Sequence, residues 1–224
     1  MAGPVGRPPA KSPKVVHMSD SPTVATTAVL LAAGAGTRLG LGPKALLPFR
    51  SRTLVEVLAD VLLDGGCREV VIVLGAAAGT VRAATDLGRH TVVENADWAG
   101  GMGSSLRLGL SCARPGDNVL VALVDQPGLT PDTVARLLRT HRPGRVTAAA
   151  YPDAAGKLRR GHPLLLDSTL RAGAAESATG DAGARQFLQA HPGLIDLVDC
   201  GAQTGGDESG GADIDTLDQL HLLD

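Results

Sequence analysis

Short apolar runs, separated by polar and glycine-rich segments, recur along the chain. Ala28–Leu31, Val70–Leu74 and Asn118–Val124 are almost continuously apolar, which is typical of strands buried on both faces of a parallel sheet. Shorter apolar runs complete the set of predicted strands, at His90–Val93, Val146–Tyr151, Leu164–Leu166 and Leu194–Val198.

Helical spacing occurs between these runs. Over 53–64, apolar residues recur at intervals of three and four, and Thr53 with Glu56 predicts a capping box at the start. Further helices are predicted over 76–86 and 104–112, after Thr130, from Gly180 and after Thr216, whereas Pro152–Arg160 is predicted to be a solvated turn. The alternation predicts right-handed βαβ units, and therefore an α/β fold: a single Rossmann-like three-layer α/β/α domain with a mostly parallel sheet.

Two segments lack such patterns. Residues 1–26 are rich in Pro, Ser and Thr, so they are predicted to be a disordered N-terminal tail ahead of one domain over 27–224. A partner-binding role for this tail is the less favoured alternative. Gly201–Gly211 is polar and glycine-rich, which predicts a flexible loop.

Composition narrows the class of protein. Hydrophobic residues make up 44% of the 224 residues, which favours a packed core, and aromatic residues only 2%, which argues against stacking surfaces for nucleic acid. The net charge of −2 also disfavours nucleic-acid binding. No apolar run reaches about 18 residues, so no membrane span is predicted. Cys67, Cys112 and Cys200 are scattered, which predicts free thiols and a cytoplasmic location.

The strand at Ala28–Leu31 leads into a loop that predicts phosphate binding. Four glycines lie between positions 34 and 42, and Arg38 and Lys44 add two cations. Backbone amides and cations together suit a polyphosphate. The loop is neither a dinucleotide fingerprint, because Leu39 replaces the third glycine of G-x-G-x-x-G, nor a Walker loop, because Ala45 follows the lysine. An ordinary glycine-rich turn is the alternative.

Two later segments also predict ligand contacts. Gly103, Ser104 and Ser105 follow two other glycines at the start of a predicted helix, where free amides suit a nucleotide, although either serine could simply cap the helix. Asp125 ends the apolar run at Asn118–Val124. Ligands of open α/β sheets bind at the carboxyl ends of strands, so Asp125 is a candidate for chemistry; capping the following turn is the alternative.

Motifs spread over about residues 28–224 resemble the nucleotidyltransferases related to MobA and MocA. The glycine loop is similar to that family's L-A-[AG]-G-x-x-x-R-M-G-x-x-K signature, with departures at Leu39 and in an extra Gly-Pro step before Lys44. The other matching motifs are the segment G-M-G-S-S-L, V-D-Q-P at Asp125, G-H-P at His162, G-D-A-G-A-R at Asp181 and D-I-D-T at Asp215. The resemblance implies the fold of the nucleotide-diphospho-sugar transferases.

The resemblance also implies roles for individual residues. Arg38, Lys44 and Asp125 would be catalytic, and Asp125 with Asp215 would bind Mg²⁺, Asp213 being the less favoured ligand. Near the second substrate the resemblance places Gln126, His162, Asp181 and Arg185. The implied nucleotide contacts are Leu31, Ala32, Ala33, Gly34, Gly36, Arg38, Lys44, Gly103, Ser104 and Ser105. Read from the residues alone, His162 could be structural and Asp181 a helix cap.

These parts predict a magnesium-dependent nucleotidyl transfer. A phosphorylated acceptor attacks the α-phosphorus of a nucleoside triphosphate, and pyrophosphate leaves. Ala33 and the V-D-Q-P motif resemble the MocA branch, which implies CTP over GTP, molybdopterin as acceptor, and a molybdoenzyme or its chaperone as a protein partner. A sugar-phosphate nucleotidyltransferase is an alternative within the same superfamily.

Two other classes of function remain open. An NAD(P)H-dependent oxidoreductase could use the same fold, but the imperfect fingerprint and the lack of an acidic residue after Val70–Leu74 argue against it. A non-catalytic nucleotide-binding or chaperone-like module is the third class. A module that only binds a nucleotide would not need both of the implied metal ligands, Asp125 and Asp215, so their presence argues against this class.

Overall fold

The computed structural model describes residues 24–201 and 211–223. Most of the predicted N-terminal tail (residues 1–26) and most of the predicted flexible loop at Gly201–Gly211 therefore lie outside the described residues. In the described part, one seven-stranded sheet carries helices on both of its faces, which confirms the predicted three-layer α/β/α class.

The strands are named in chain order. They are β1 (Thr26–Ala32), β2 (Pro48–Phe49), β3 (Arg52–Thr53), β4 (Glu69–Leu74), β5 (Thr91–Glu94), β6 (Asn118–Leu123), β7 (Val146–Pro152), β8 (Leu158–Leu166) and β9 (Ile195–Asp199). Strands β2 and β3 form a separate hairpin, and the main sheet has the order β5-β4-β1-β6-β8-β7-β9. Strand β8 is antiparallel to both of its neighbours, whereas the other neighbouring strands of this sheet are parallel.

The helices divide between the two faces of the sheet. They are α1 (Leu54–Asp64), α2 (Ala78–Ala84), α3 (Met102–Cys112), α4 (Pro131–Thr140), α5 (Arg171–Ser177) and α6 (Arg185–Ala190). Helices α1, α2 and α4 pack in one apolar cluster, and α3, α5 and α6 pack in a second cluster on the opposite face. Strand β1 alternates its side chains between the two clusters and is buried along its whole length.

Several local predictions are corrected by the structure. The predicted solvated turn at Pro152–Arg160 is wrong at its carboxyl end, because Leu158 begins β8 and pairs with β7. Helix α3 starts two residues before Ser104, and the helix predicted from Gly180 becomes a short 3₁₀ turn followed by α6. The predicted capping box of α1 is confirmed, and the helix runs from Leu54 to Asp64.

The parallel strands have the order that creates a crevice for a ligand. Strands β1 and β6 are neighbours in register, with Leu31 beside Leu123. The chain passes from β1 to β4, which lies on one side of β1, and later returns to β6, which lies on the other side of β1. The connections on the two sides of β1 therefore diverge and leave a crevice at the carboxyl ends of β1 and β6. Such a topological switch point is where open α/β sheets bind their ligands.

Two further expectations concern the described residues. The three cysteines are free thiols, as predicted, and burial raises the pKa of Cys67 to about 12. Among the described residues, no helix has the length and apolar character needed to cross a membrane.

Helix α3 packs directly against the sheet at Gly109. A Cβ atom on Gly109 would stand 2.4 Å from Cγ1 of Val29 on β1 and 3.1 Å from Cγ2 of Val73 on β4. Any side chain at this position would therefore push α3 away from the strands whose ends form the crevice.

We expect Gly109→Ala to lower the free energy of unfolding by about 1–3 kcal/mol, because the added methyl group overlaps the sheet. Gly79→Ala on α2 is the matched control, since a Cβ there meets nothing within 4 Å. It should be neutral or stabilising by up to about 1 kcal/mol. Urea unfolding followed by circular dichroism measures both variants, and equal effects would contradict the close-packing argument.

Candidate active site

A cleft of about 450 Å³ opens at the carboxyl edge of β1 and β6. This size falls within the range of about 300–1,000 Å³ that is usual for small-molecule sites. It is lined by Leu31, Ala33, Gly34, Ala35, Gly36, Thr37, Arg38, Lys44, Trp98, Ala99, Gly101, Met102, Ser105, Leu123, Val124, Asp125, Asp181 and Asp215. The cleft thus brings together residues from both ends of the domain.

The glycine loop after β1 folds tightly over one side of the cleft. Gly36 has a φ of +65°, and a Cβ on it would stand 2.0 Å from the carbonyl oxygen of Gly42. Only glycine fits this close approach. Leu39 donates its amide to the Gly36 carbonyl and is 3% exposed, so its side chain anchors the loop in the core. The departure from methionine at this position therefore keeps an apolar anchor.

Lys44 lies between two carboxylates at the bottom of the cleft. Its Nζ is 3.1 Å from Oδ2 of Asp125 and 2.7 Å from Oδ1 of Asp215. Burial alone would lower the pKa of Lys44, but the two carboxylates outweigh it and raise that pKa above its usual value. The hydrogen bond from Lys44 lowers the pKa of Asp215. The exposed Arg38 adds a second cation, 3.8 Å from Asp215.

A backbone hydrogen bond holds the C-terminal segment, which contains Asp215, against the end of β6. Ile214 donates its amide to the carbonyl of Asp125 at 2.9 Å, and its side chain is completely buried. On the other side, the amide of Gln126 donates to Asp213 at 2.7 Å. These contacts fix Asp215 beside Asp125, although 90 positions separate them in the chain.

Gln126 and Asp213 lie outside the cleft lining, whereas Asp215 lines the cleft. Gln126 is 6% exposed and does not line the cleft. Burial raises the pKa of Asp213, although the hydrogen bond from Gln126 opposes this shift. Asp213 is engaged by Gln126, which leaves Asp215 as the member of the acidic pair that faces the cleft.

The two carboxylates of the cleft suit a divalent cation. Oδ1 of Asp125 is buried and has no hydrogen-bond partner among the described residues, so it presents a lone pair that nothing there satisfies. The described residues contain no group of three or more His, Cys, Asp or Glu side chains placed to hold a metal ion. Mg²⁺ is commonly bound through one or two carboxylates plus substrate phosphates, and Asp125 with Asp215 provides that number.

A buried asparagine that the sequence analysis missed fixes the amino end of α3. Asn95 donates from Nδ2 to Oγ of Ser104 at 2.8 Å and to Oγ of Ser105 at 2.9 Å. Ser104 in turn donates to the carbonyls of Asp97 and Gly101, so it serves the loop rather than the cleft. Ser105 does line the cleft.

Trp98 and Met102, also missed by the sequence analysis, form an apolar wall of the cleft. They are 38% and 40% exposed. Gly75, at the end of β4, allows this placement, since a Cβ there would stand 2.5 Å from Cβ of Trp98. A signal was available in the sequence: Trp98 is the single tryptophan of a chain with 2% aromatic residues, and it lies between glycine-rich segments.

The remaining predicted residues divide into two groups. Asp181 lines the cleft, and its carboxylate approaches Gly101 so closely that a Cβ on that glycine would meet it at 2.7 Å. The predicted residues that do not line the cleft are Ala32, Gly103, Ser104, Gln126, His162 and Arg185. Gly103 packs against the backbone of Thr179, and burial lowers the pKa of His162 to about 4. His162 is therefore neutral at neutral pH.

The cleft and fold define a class of nucleotide-binding α/β protein, and comparison with known proteins narrows that class. A family model described as the MobA-like NTP transferase domain matches residues 28–194. The chain belongs to this family of nucleotidyltransferases.

Individual relatives agree on the fold but differ in their names. The chain is 54% identical over 208 residues to the nicotine blue oxidoreductase of Paenarthrobacter nicotinovorans, covering 92% of this chain and 100% of that protein. Rv0371c of Mycobacterium tuberculosis H37Rv, solved as a complex with manganese, has a TM-score of 0.71 at 29% identity, covering 89% and 98% of the two chains. A nucleotidyl transferase of Methanothermobacter thermautotroptrophicus has a TM-score of 0.72 at 26% identity, covering 89% and 96%.

We expect Asn95→Ala to lower the free energy of unfolding by about 1–3 kcal/mol, because it removes the group that donates hydrogen bonds to the buried hydroxyl oxygens of Ser104 and Ser105. The fluorescence of Trp98 should shift to longer wavelength as the segment after Asn95 loosens. Ser111→Ala, on the exposed side of α3, removes a hydroxyl that bonds only within its own helix turn. Urea unfolding followed by this fluorescence measures the stability of both variants. A similar loss of stability in both would contradict the role of Asn95 in holding the amino end of α3.

Proposed function

We propose that this protein is a magnesium-dependent nucleotidyltransferase that moves CMP from CTP to a phosphorylated acceptor, with molybdopterin as that acceptor. The observation that carries the proposal is the Asp125–Asp215 pair, with Lys44 between the carboxylates, facing the glycine loop across one cleft. The glycine loop would bind the triphosphate and the two carboxylates would bind the divalent cation, so the metal ion could contact the phosphates across the cleft. Manganese in the Rv0371c structure supports a metal requirement in this family.

The chain's own residues would bind and orient the triphosphate. Gly34 and Gly36 line the cleft and have no side chains, so the backbone there can lie close to phosphate oxygens. Arg38, whose side chain is 81% exposed, is free to turn onto the phosphates. Lys44 is fixed at its backbone, and its flexible stem lets the ammonium follow the anionic groups.

Asp125 and Asp215 would hold Mg²⁺. When bound, the ion neutralises charge on the transferring and leaving phosphates. The two carboxylates fit this role because one oxygen of Asp125 is buried and unsatisfied and because Asp215 faces the cleft.

Catalysis then requires positioning and electrostatic stabilisation, with no covalent intermediate on the protein. An oxygen of the acceptor phosphate forms a bond to the α-phosphorus, the bond from that phosphorus to the bridging oxygen breaks, and pyrophosphate leaves with the electron pair. Asp181 lies in the cleft and would contact the acceptor. The family resemblance places Gln126, His162 and Arg185 near the acceptor. Because these residues do not line the cleft, we assign them to positioning rather than to direct contact.

The apolar wall at Trp98 suits a flat ring. A nucleobase or a pterin stacked on Trp98 would bury apolar surface and leave the phosphates toward Lys44. CTP is favoured over GTP because of Ala33 in the loop, the feature of the MocA branch. GTP, or a sugar phosphate as acceptor, remains as the alternative within this class. We infer a cytoplasmic setting, in which the product passes to a molybdoenzyme or its chaperone.

An oxidoreductase is the second candidate. The relative named nicotine blue oxidoreductase is 54% identical over its whole length, and a flat coloured compound would also suit the wall at Trp98. A nicotinamide nucleotide would be the electron donor or acceptor. Against this, the position after β4, where an acidic residue would bind the ribose, is Gly75 covered by Trp98.

Ligand binding separates these candidates. The fluorescence of Trp98 and the melting temperature would be measured with CTP, GTP and NADPH, each with and without Mg²⁺. We expect a magnesium-dependent response to CTP that exceeds the response to GTP, followed by pyrophosphate release when molybdopterin is added. A response to NADPH alone, with oxidation of NADPH when nicotine blue is added, would favour the oxidoreductase.

We expect Asp125→Asn to lower turnover by about a hundredfold or more, because it removes a metal ligand while keeping the shape of the side chain. CTP binding without Mg²⁺ should change little. Asp132→Asn, in the exposed first turn of α4, is the control and should retain full activity. Turnover of the Asp125 variant at the wild-type rate would contradict the assignment.

A further inference from the structure

Lys44 contacts one oxygen of each of the two carboxylates that would hold a divalent cation. Its ammonium contacts Asp125 at 3.1 Å and Asp215 at 2.7 Å, and its side chain is only 14% exposed. Arg38 reaches Asp215 at 3.8 Å but is 81% exposed and so remains largely solvated. Lys44 is therefore the less exposed of the two cations beside the carboxylate pair, and it neutralises one of the pair's two negative charges.

Resting on the nucleotidyltransferase function, we propose that Lys44 is an internal counter-cation that makes binding of the divalent ion depend on binding of the triphosphate. Two cations on the same pair of carboxylates repel each other, so the ammonium opposes a metal ion that arrives alone. A triphosphate in the glycine loop offers the ammonium another anionic partner. The ammonium then leaves the carboxylates as the metal ion binds, and each ligand favours the other.

The backbone of Lys44 is placed for this exchange. Lys44 begins a 3₁₀ turn after Pro43, and its carbonyl accepts the amide of Leu47, so the main chain is fixed. A Cβ on Gly36 would stand 3.6 Å from the Lys44 amide, which shows that the phosphate-binding loop and the lysine are neighbours. The four-carbon stem of the lysine can therefore turn from the carboxylates to the loop without movement of the backbone.

Lys44→Met removes the ammonium and keeps an unbranched stem. In the absence of nucleotide, we expect this variant to bind Mn²⁺ roughly tenfold more tightly than the wild type, within the usual range of coupling between sites. Electron paramagnetic resonance of free Mn²⁺ measures this affinity. The variant should also bind CTP more weakly, and Mg²⁺ should improve its CTP affinity by a smaller factor than in the wild type, as followed by the fluorescence of Trp98.

Lys157→Met is the matched control, because Lys157 is the other lysine among the described residues and lies exposed in the turn between β7 and β8. It should bind Mn²⁺ and CTP as the wild type does. Lys44→Gln provides a second variant with a polar side chain, and adding Asp215→Asn to Lys44→Met should abolish the gain in Mn²⁺ affinity. Circular dichroism confirms that each variant is folded.

The outcomes distinguish this inference from the proposed function. If the wild type binds CTP with Mg²⁺ but both Lys44 variants bind Mn²⁺ no more tightly than the wild type, the counter-cation role is wrong and the transferase function stands. If the wild type binds no nucleotide triphosphate, the proposed function fails. A gain in Mn²⁺ affinity confined to the Lys44 variants supports the counter-cation role.

Discussion

The hydrogen bond from the Ile214 amide to the Asp125 carbonyl is the constraint on which the site depends. It carries the C-terminal segment across the edge of the sheet, and the complete burial of Ile214 makes that docking favourable. Asp215 then stands beside Asp125, where the ammonium of Lys44 bonds to both. Without this tether, Lys44 would keep only Asp125 as its partner, and the cleft would lack the Asp125–Asp215 pair that could hold a divalent cation.

The sheet supplies the other half of the site. Because β1 and β6 are parallel neighbours, the loop that follows one and the carboxylate that follows the other open into the same crevice. The close approach of Gly36 to Gly42 folds the loop toward Lys44. Helix α3 closes the opposite side, held near the sheet by Gly109 and at its amino end by Asn95. Close contacts at Gly36, Gly109 and Asn95 thus fix the loop and the helix on either side of the sheet edge, and with them the shape of the cleft.

The parts of this arrangement that depend on local pattern could be predicted from the sequence. The continuous apolar runs gave the buried parallel strands, and Thr53 with Glu56 gave the start of α1. The contacts between distant segments could not be predicted in the same way. Nothing in the spacing indicates that Gln126 bonds to Asp213 or that Lys44 turns to carboxylates rather than to open solvent. The first residues of β8 follow a turn and include Arg159 and Arg160, so the sequence does not indicate a strand there, and only the pairing with β7 shows one.

The two sides of the cleft place different demands on a ligand, and this difference bears on the two candidate functions. The apolar wall at Trp98 and Met102 offers an aromatic surface suited to stacking, which selects little among flat rings. The charged side is more selective, because holding Lys44 at 14% exposure beside two carboxylates costs desolvation energy that only charged partners offset. A triphosphate with a divalent cation supplies such partners, because phosphate oxygens can pair with Lys44 and the cation can pair with Asp125 and Asp215. The charged side of the cleft therefore favours nucleotidyl transfer over the oxidoreductase alternative.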